Sequence, residues 1–197
     1  MSQTFPRIFF LIAIVAVANG QRASGSSGSR EIVVSVPDQE LAVLDRGKLV
    51  ARYPISTSKF GMGDSSGSYR TPLGVLFVSG KFGDRLPGGS VIKNRVSTGE
   101  IVKANAPGRD AIVSRVIWLR GMEVQNRAAH DRCIYIHGTP EEKRIGRPAS
   151  FGCIRMRSRD VIALYDLVHI GMHVAITEKR IADFLPREEP DLFARSD

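Results

Sequence analysis

Only two cysteines, Cys133 and Cys153, occur in 197 residues, too few for the disulfide framework on which a coreless secreted miniprotein depends. Histidine is as sparse, with His130, His137, His169 and His173. No Cys-x-x-Cys pair occurs, and His169 and His173, the one His-x-x-x-His spacing, read as structural, so no metal is expected. Long apolar runs are missing as well. The run from Ile8 to Ala18 has eleven residues, against the roughly 20 needed for a helix that spans a bilayer, so no stable membrane span is expected. No cysteine follows that run, which leaves no site for a lipid anchor. Internal repeats are absent, and the chain after its first 30 residues is long enough to bury one core without covalent staples.

What is present begins with the leader. Arg7 precedes the apolar run, and Ala16-Val17-Ala18 supplies small residues for cleavage, so residues 1–20 read as a signal peptide and the protein as exported, to periplasm or cell wall. Residues 21–30, rich in Ser and Gly, read as a flexible linker. Residues 31–177 read as a single domain, and residues 178–197 as a charged tail with one helical turn. Twenty-eight Lys and Arg against 20 Asp and Glu give +8; without the leader and its Arg7, 27 against 20 gives +7. Export separates this basic surface from nucleic acid, which leaves anionic extracellular polymers as partners, or solubility as its only purpose.

The patterning is mostly that of strands. Residues 31–36, 41–44 and 48–55 are separated by Pro37-Asp38-Gln39 and Asp45-Arg46-Gly47 and predict a β-meander. Residues 75–78, 111–118 and 134–137 add further strands. Residues 56–72 and 80–108 carry Gly and Pro and read as long loops, of the kind that wall a groove or run over the surface. One helix is expected from Ser158 as N-cap to Gly171, with Val161, Leu164, Tyr165 and Val168 on one face, followed by a strand over residues 172–177.

Chemistry concentrates in two short stretches. Ile134-Tyr135-Ile136-His137 is a β-branched and aromatic run that ends on a histidine followed by Gly138. Sixteen residues after His137 comes Cys153, inside Ser150-Phe151-Gly152-Cys153-Ile154-Arg155-Met156. A thiol attacks as thiolate, and an imidazole that takes its proton makes a nucleophile of it. Histidine before cysteine reverses the order found in papain-like peptidases. Residues 141–149 form a polar loop that turns the chain back and returns Cys153 toward His137. Gly152 opens space for a substrate carbonyl, and the N–H groups of Gly152 and Cys153 are the expected oxyanion donors. His130, His169 and His173 read as structural. In an oxidising compartment Cys133 and Cys153 form a conceivable redox pair.

These segments resemble the L,D-transpeptidase catalytic domain of bacterial cell-wall enzymes, whose signature is a histidine, a loop, then Ser/Thr-x-Gly-Cys-x-Arg/Asn. Tyr53-Pro54-Ile55-Ser56-Thr57-Ser58, Arg70-Thr71-Pro72-Leu73-Gly74 and Val116-Ile117-Trp118-Leu119-Arg120-Gly121 are similar to family segments in the same order, so the resemblance spans roughly residues 31–177. Phe151 departs from it, since many relatives carry a second histidine there. The resemblance implies a mainly β, sandwich- or barrel-like fold with one or two short helices and long groove-forming loops. It implies no cofactor, and peptidoglycan stem peptides as substrate. Cys153 would be the nucleophile, His137 the acid-base, and the Gly138 carbonyl the third member that orients the imidazole. Arg155 would bind a stem carboxylate or brace the nucleophile loop. Ser150 would contact substrate or brace the same loop, and Tyr135 would line the groove or pack in the core. The competing readings are a sortase-like transpeptidase and a wall-binding module without activity.

Overall fold

The structure is a computed structural model that describes residues 30–186; the expected leader, the linker up to residue 29 and the end of the tail lie outside them. Ten strands join in one mixed sheet. β1 (Arg30–Ser35), β2 (Glu40–Asp45) and β3 (Lys48–Pro54) form the expected meander. β4 (Gly74–Phe82), β5 (Ser90–Lys93), β6 (Val96–Ile101) and β7 (Val113–Gly121) follow. β8 (Tyr135–Gly138) holds His137 and β9 (Ile154–Met156) follows Cys153, α1 (Ser158–Leu167) is the one α-helix among the described residues, and β10 is His173–Thr177. The order is β3-β2-β1-β10-β4-β7-β5-β6, with β8 added to β7 and β9 to β8.

Residues 80–108 are the main departure from the sequence reading. β4 runs on to Phe82, and β5 and β6 form a hairpin that projects from the sheet with every β6 residue exposed. A strand with two wet faces has no polar-apolar alternation, so the signal that marks strands is missing from Val96–Ile101. Residues 56–72 do form a loop, touched by isolated bridges Ser56–Arg155, Ser58–Ser150 and Met62–Thr71.

One core lies between the sheet and α1, with Ile32, Val34, Leu76, Ile117, Leu119, Ile136, Ile154 and Met156 wholly or almost wholly buried. Val161, Leu164, Tyr165 and Val168 of the helical face are buried against it, as their spacing required. The helix caps differ from expectation. Arg157, not Ser158, is the N-cap, and its side chain makes no capping bond. The carboxylate of Glu142 accepts the Ser158 N–H at 2.9 Å instead, placing negative charge at the positive end of the helix dipole. At the other end Lys81 donates to the Tyr165 and Val168 carbonyls, and the helix closes at Leu167, short of Gly171.

The segment after Thr177 is docked. A 3-10 turn over Ile181–Phe184 buries Ile181 against Val33, Ala42 and Leu44, covering the outer face of β1 and β2, and Asp38 accepts the Ile181 N–H at 2.8 Å.

Candidate active site

β8 and β9 are parallel, with Ile136 opposite Ile154, His137 opposite Arg155 and Gly138 opposite Met156. A parallel pair needs a crossover, and here residues 139–153 form it. The register sets Cys153 one step before the ladder, beside Tyr135. The Tyr135 N–H accordingly donates to Cys153 Sγ at 3.5 Å, and the thiol donates to the Cys133 carbonyl at 3.4 Å. Both cysteines are free thiols.

His137 is 5% exposed. Its Nδ1 lies 2.8 Å from the Gly138 carbonyl oxygen, an acceptor, so Nδ1 carries the proton and Nε2 keeps its lone pair. Burial lowers the imidazole pKa to about 4, with the Arg155 charge adding to the effect, although the Gly138 bond opposes it. Burial likewise raises the Cys153 thiol to about 11, and Tyr135 N–H and Arg155 offset part of this. Cys153 as a residue keeps some exposure, but its sulfur lies deep enough for desolvation to dominate. At neutral pH both partners are therefore uncharged. The thiol's hydrogen bonds go to the Cys133 carbonyl and the Tyr135 N–H.

The cysteine loop is braced from all sides. Ser150 Oγ donates to the Cys153 carbonyl at 2.6 Å and accepts the Gly152 N–H at 3.2 Å. That use of the Gly152 N–H leaves the Cys153 N–H as the remaining member of the expected oxyanion pair. Gly152 has φ +119°, a conformation that side chains rarely adopt, and this is why glycine precedes Cys153. Thr71 Oγ1 donates to the Gly152 carbonyl at 3.0 Å. The Thr57 carbonyl accepts the Ala149 and Ser150 N–H groups, and buried Gln39 holds Thr57 in turn. Sequence reasoning gave no bracing role to Gln39, Thr57 and Thr71, whose partners in this brace lie 18 to 93 residues away; no local pattern marks such contacts.

Arg155 is 6% exposed, and its guanidinium fork is engaged by Asp110 at 2.7 Å and Glu141 at 3.0 Å. Both carboxylate partners escaped the sequence reading. Gly138 has no room for a side chain, since a Cβ there would stand 2.5 Å from the Val113 carbonyl. Tyr135 is 7% exposed, packing with Ile92 and Val116 while lining a cavity of about 490 Å³. A second cavity of about 390 Å³ includes Cys153, Phe151, Tyr69 and Arg132. Phe151 stands at its edge, 49% exposed, with its ring near those of Phe60 and Tyr69 and with Lys59 Nζ 4.3 Å from its centroid. Arg132 is fixed by a buried ion pair with Asp64.

His130 stacks on Trp118 at 3.8 Å, while His169 and His173 are exposed at the turn into β10. Among the described residues no group of three or more His, Cys, Asp or Glu is placed to hold a metal ion, and no helix is long and apolar enough to cross a membrane.

A family model, YkuD, the L,D-transpeptidase catalytic domain, matches residues 29–176. The Bacillus subtilis L,D-transpeptidase candidate YqjB is 24% identical over 173 residues, 86% of this chain and 85% of that protein. Over 42 residues, 21% of this chain and 26% of the relative, identity to the L,D-transpeptidase candidate YkuD of Bacillus licheniformis reaches 50%. Among solved structures, the L,D-transpeptidase from Xylanimonas cellulosilytica superposes with a TM-score of 0.51 at 18% identity, over 77% of this chain and 62% of that one. L,D-transpeptidase 3 from Mycobacterium tuberculosis, solved with a faropenem-derived adduct, gives 0.50 at 19% identity, over 77% and 61%. The chain thus spans about three fifths of the solved chains it matches, and the likeness to them is one of fold.

Proposed function

The chain belongs to the L,D-transpeptidase catalytic-domain family, and on that premise we propose that it is an exported cysteine acyltransferase acting on peptidoglycan stem peptides. The observation that carries the reading is the 2.8 Å contact between His137 Nδ1 and the Gly138 carbonyl. It commits the imidazole to the tautomer whose free Nε2 can accept a thiol proton.

In the proposed reaction Sγ turns from the Cys133 carbonyl and gives its proton to His137 Nε2. The thiolate adds to the carbonyl joining the third and fourth residues of the stem. The Cys153 N–H receives the oxyanion, collapse breaks the peptide bond, and His137 returns the proton to the departing D-amino acid. An amine, or water in the carboxypeptidase variant of the reaction, then gives a proton to His137 and displaces Sγ from the thioester. Neither step calls for a cofactor. Arg155 supports the thiolate by its charge and braces the loop through Asp110 and Glu141, which makes the brace the better supported of its two expected roles. Ser150 is likewise a brace. Export to periplasm or cell wall rests on residues 1–20, and the +7 surface suits an anionic wall.

Incubation with a stem tetrapeptide, with and without an amine acceptor, should release the terminal D-residue. A carbapenem should acylate the wild type but not Cys153→Ala. Release from a sorting-signal peptide alone would favour the sortase-like reading, and a wild type that forms no adduct would favour the wall-binding module.

A further inference from the structure

The turn between β5 and β6 is Asn94-Arg95, with φ of 51° and 66°. Two left-handed residues in a two-residue loop make a type I′ hairpin, whose second position favours glycine. Arginine there costs about 1 kcal/mol of backbone strain, and strain of this kind calls for a look at what the side chain does.

The Arg95 side chain reaches back over the sheet. Its guanidinium lies 4.6 Å from the Trp118 ring centroid and donates to the Tyr135 hydroxyl at 3.3 Å. Beneath it lies the 490 Å³ cavity, walled by Ile92, Ile112 and Val116 and edged by Lys93, Arg95 and Tyr135. No Asp or Glu lines this cavity, and neither Lys93 nor Arg95 has an ion-pair partner among the described residues. Two uncompensated cations over an apolar pocket attract an anion that carries an apolar body. Tyr135 adds a third polar group, since burial pushes its phenol up to about 12 and keeps its proton available to an acceptor.

The cavity touches the nucleophile's own surroundings. Tyr135 and Cys133 both line it, and they are the residues whose N–H and carbonyl hold Cys153 Sγ. We propose that Arg95 and Lys93, presented by the β5–β6 turn, form a carboxylate-recognition subsite that seats an anionic group of the substrate against the Tyr135 side of Cys153. The guanidinium fork matches a carboxylate bidentately, which a lone ammonium does not. That the anion is a carboxylate of the stem peptide rests on the function proposed above; the preference for an anion does not.

Two thiol reagents separate these layers. Iodoacetate carries a carboxylate and iodoacetamide a neutral amide, and the ratio of their rates at one sulfur cancels that sulfur's own reactivity. The ratio is read at Cys153 by peptide mass spectrometry, and at Cys133, which lines the same cavity, in wild type, Lys93→Gln, Arg95→Gln and Arg95→Gly. The last variant removes the cation while relaxing the turn, so loss of folding cannot imitate the result. The iodoacetate preference should fall about tenfold in both Arg95 variants, the loss of one charge-assisted contact, and less in Lys93→Gln. In parallel, Arg95→Gln should raise KM for a stem tetrapeptide with free carboxylates more than for its amidated form. A rate ratio unchanged in both Arg95 variants overturns the subsite whatever the peptides do. A ratio that falls while the wild type turns over neither peptide leaves the subsite standing and removes the stem-peptide reading.

Discussion

The backbone N–H of Tyr135 reaches the Sγ of Cys153 at 3.5 Å across the start of a parallel ladder. A thiol positioned by strand register cannot drift as one on a free loop can, because shifting it by one residue would turn Ile154 and Met156 out of the core. The crossover of residues 139–153 is tied near its start by Glu141 to Arg155 and Glu142 to the Ser158 N–H, and Ser150, Thr71 and Thr57 brace its cysteine end.

Ser150→Ala should weaken that brace without emptying the core. It leaves the Gly152 N–H and the Cys153 carbonyl without their shared partner, at a cost of about 1–2 kcal/mol. Chemical denaturation should show this loss, and steady-state kinetics should show a fall in kcat with little change in KM.

Gly138→Ala tests the closeness of β8 to β7. A Cβ 2.5 Å from the Val113 carbonyl and 3.1 Å from Val161 Cγ1 forces strand or helix to move, at roughly 2–3 kcal/mol. The same movement displaces the carbonyl that holds His137, so activity should fall further than the folded fraction measured by circular dichroism.

Arg155→Met leaves Asp110 without its cation and Glu141 with only the longer 3.4 Å contact to Arg144. Because those carboxylates are 39% and 23% exposed, the loss should be about 2 kcal/mol, below that of a fully buried pair. Arg155 lowers both the Cys153 and the His137 pKa, so the pH-rate profile of iodoacetamide labelling at Cys153 should move to higher pH in the variant. A profile identical to wild type would show that the arginine's charge does not reach the thiol.

Stability should be greatest between about pH 6.5 and 9. His137 falls from 6.5 to about 4 on folding, so between these values the unfolded chain binds more protons and stability drops as pH falls, by up to on the order of 3 kcal/mol. Cys153 rises from 9.0 to about 11, so above pH 9 the unfolded chain loses its proton first and stability drops as pH rises. Urea midpoints measured across pH should show the acid limb flattened in His137→Gln and the alkaline limb flattened in Cys153→Ala.

Much of the fold was legible where turn residues punctuate apolar runs or where one face of an element is buried. β1 to β3 follow from their apolar runs set off by Pro37-Asp38-Gln39 and Asp45-Arg46-Gly47, and the buried face of α1 follows from helical spacing. β6 was illegible because both its faces are exposed and its residues carry no period. The helix cap was misread because Glu142, the group that accepts the Ser158 N–H, lies 16 residues away.

Sequence alone determined the candidate groups and their order: histidine at a strand end, glycine before the cysteine, a loop between. These are local matters of residue type and spacing, and the family they suggested is the one whose model matches residues 29–176. Only the tertiary structure decided which partners those groups keep. Arg155 is turned to Asp110 and Glu141, the Gly152 N–H is spent on Ser150, and Arg95 is brought over Tyr135 from 40 residues away. Each is a choice among distant hydrogen-bond partners, made by the packing of sheet and loops, and chain-local periodicity has no record of it.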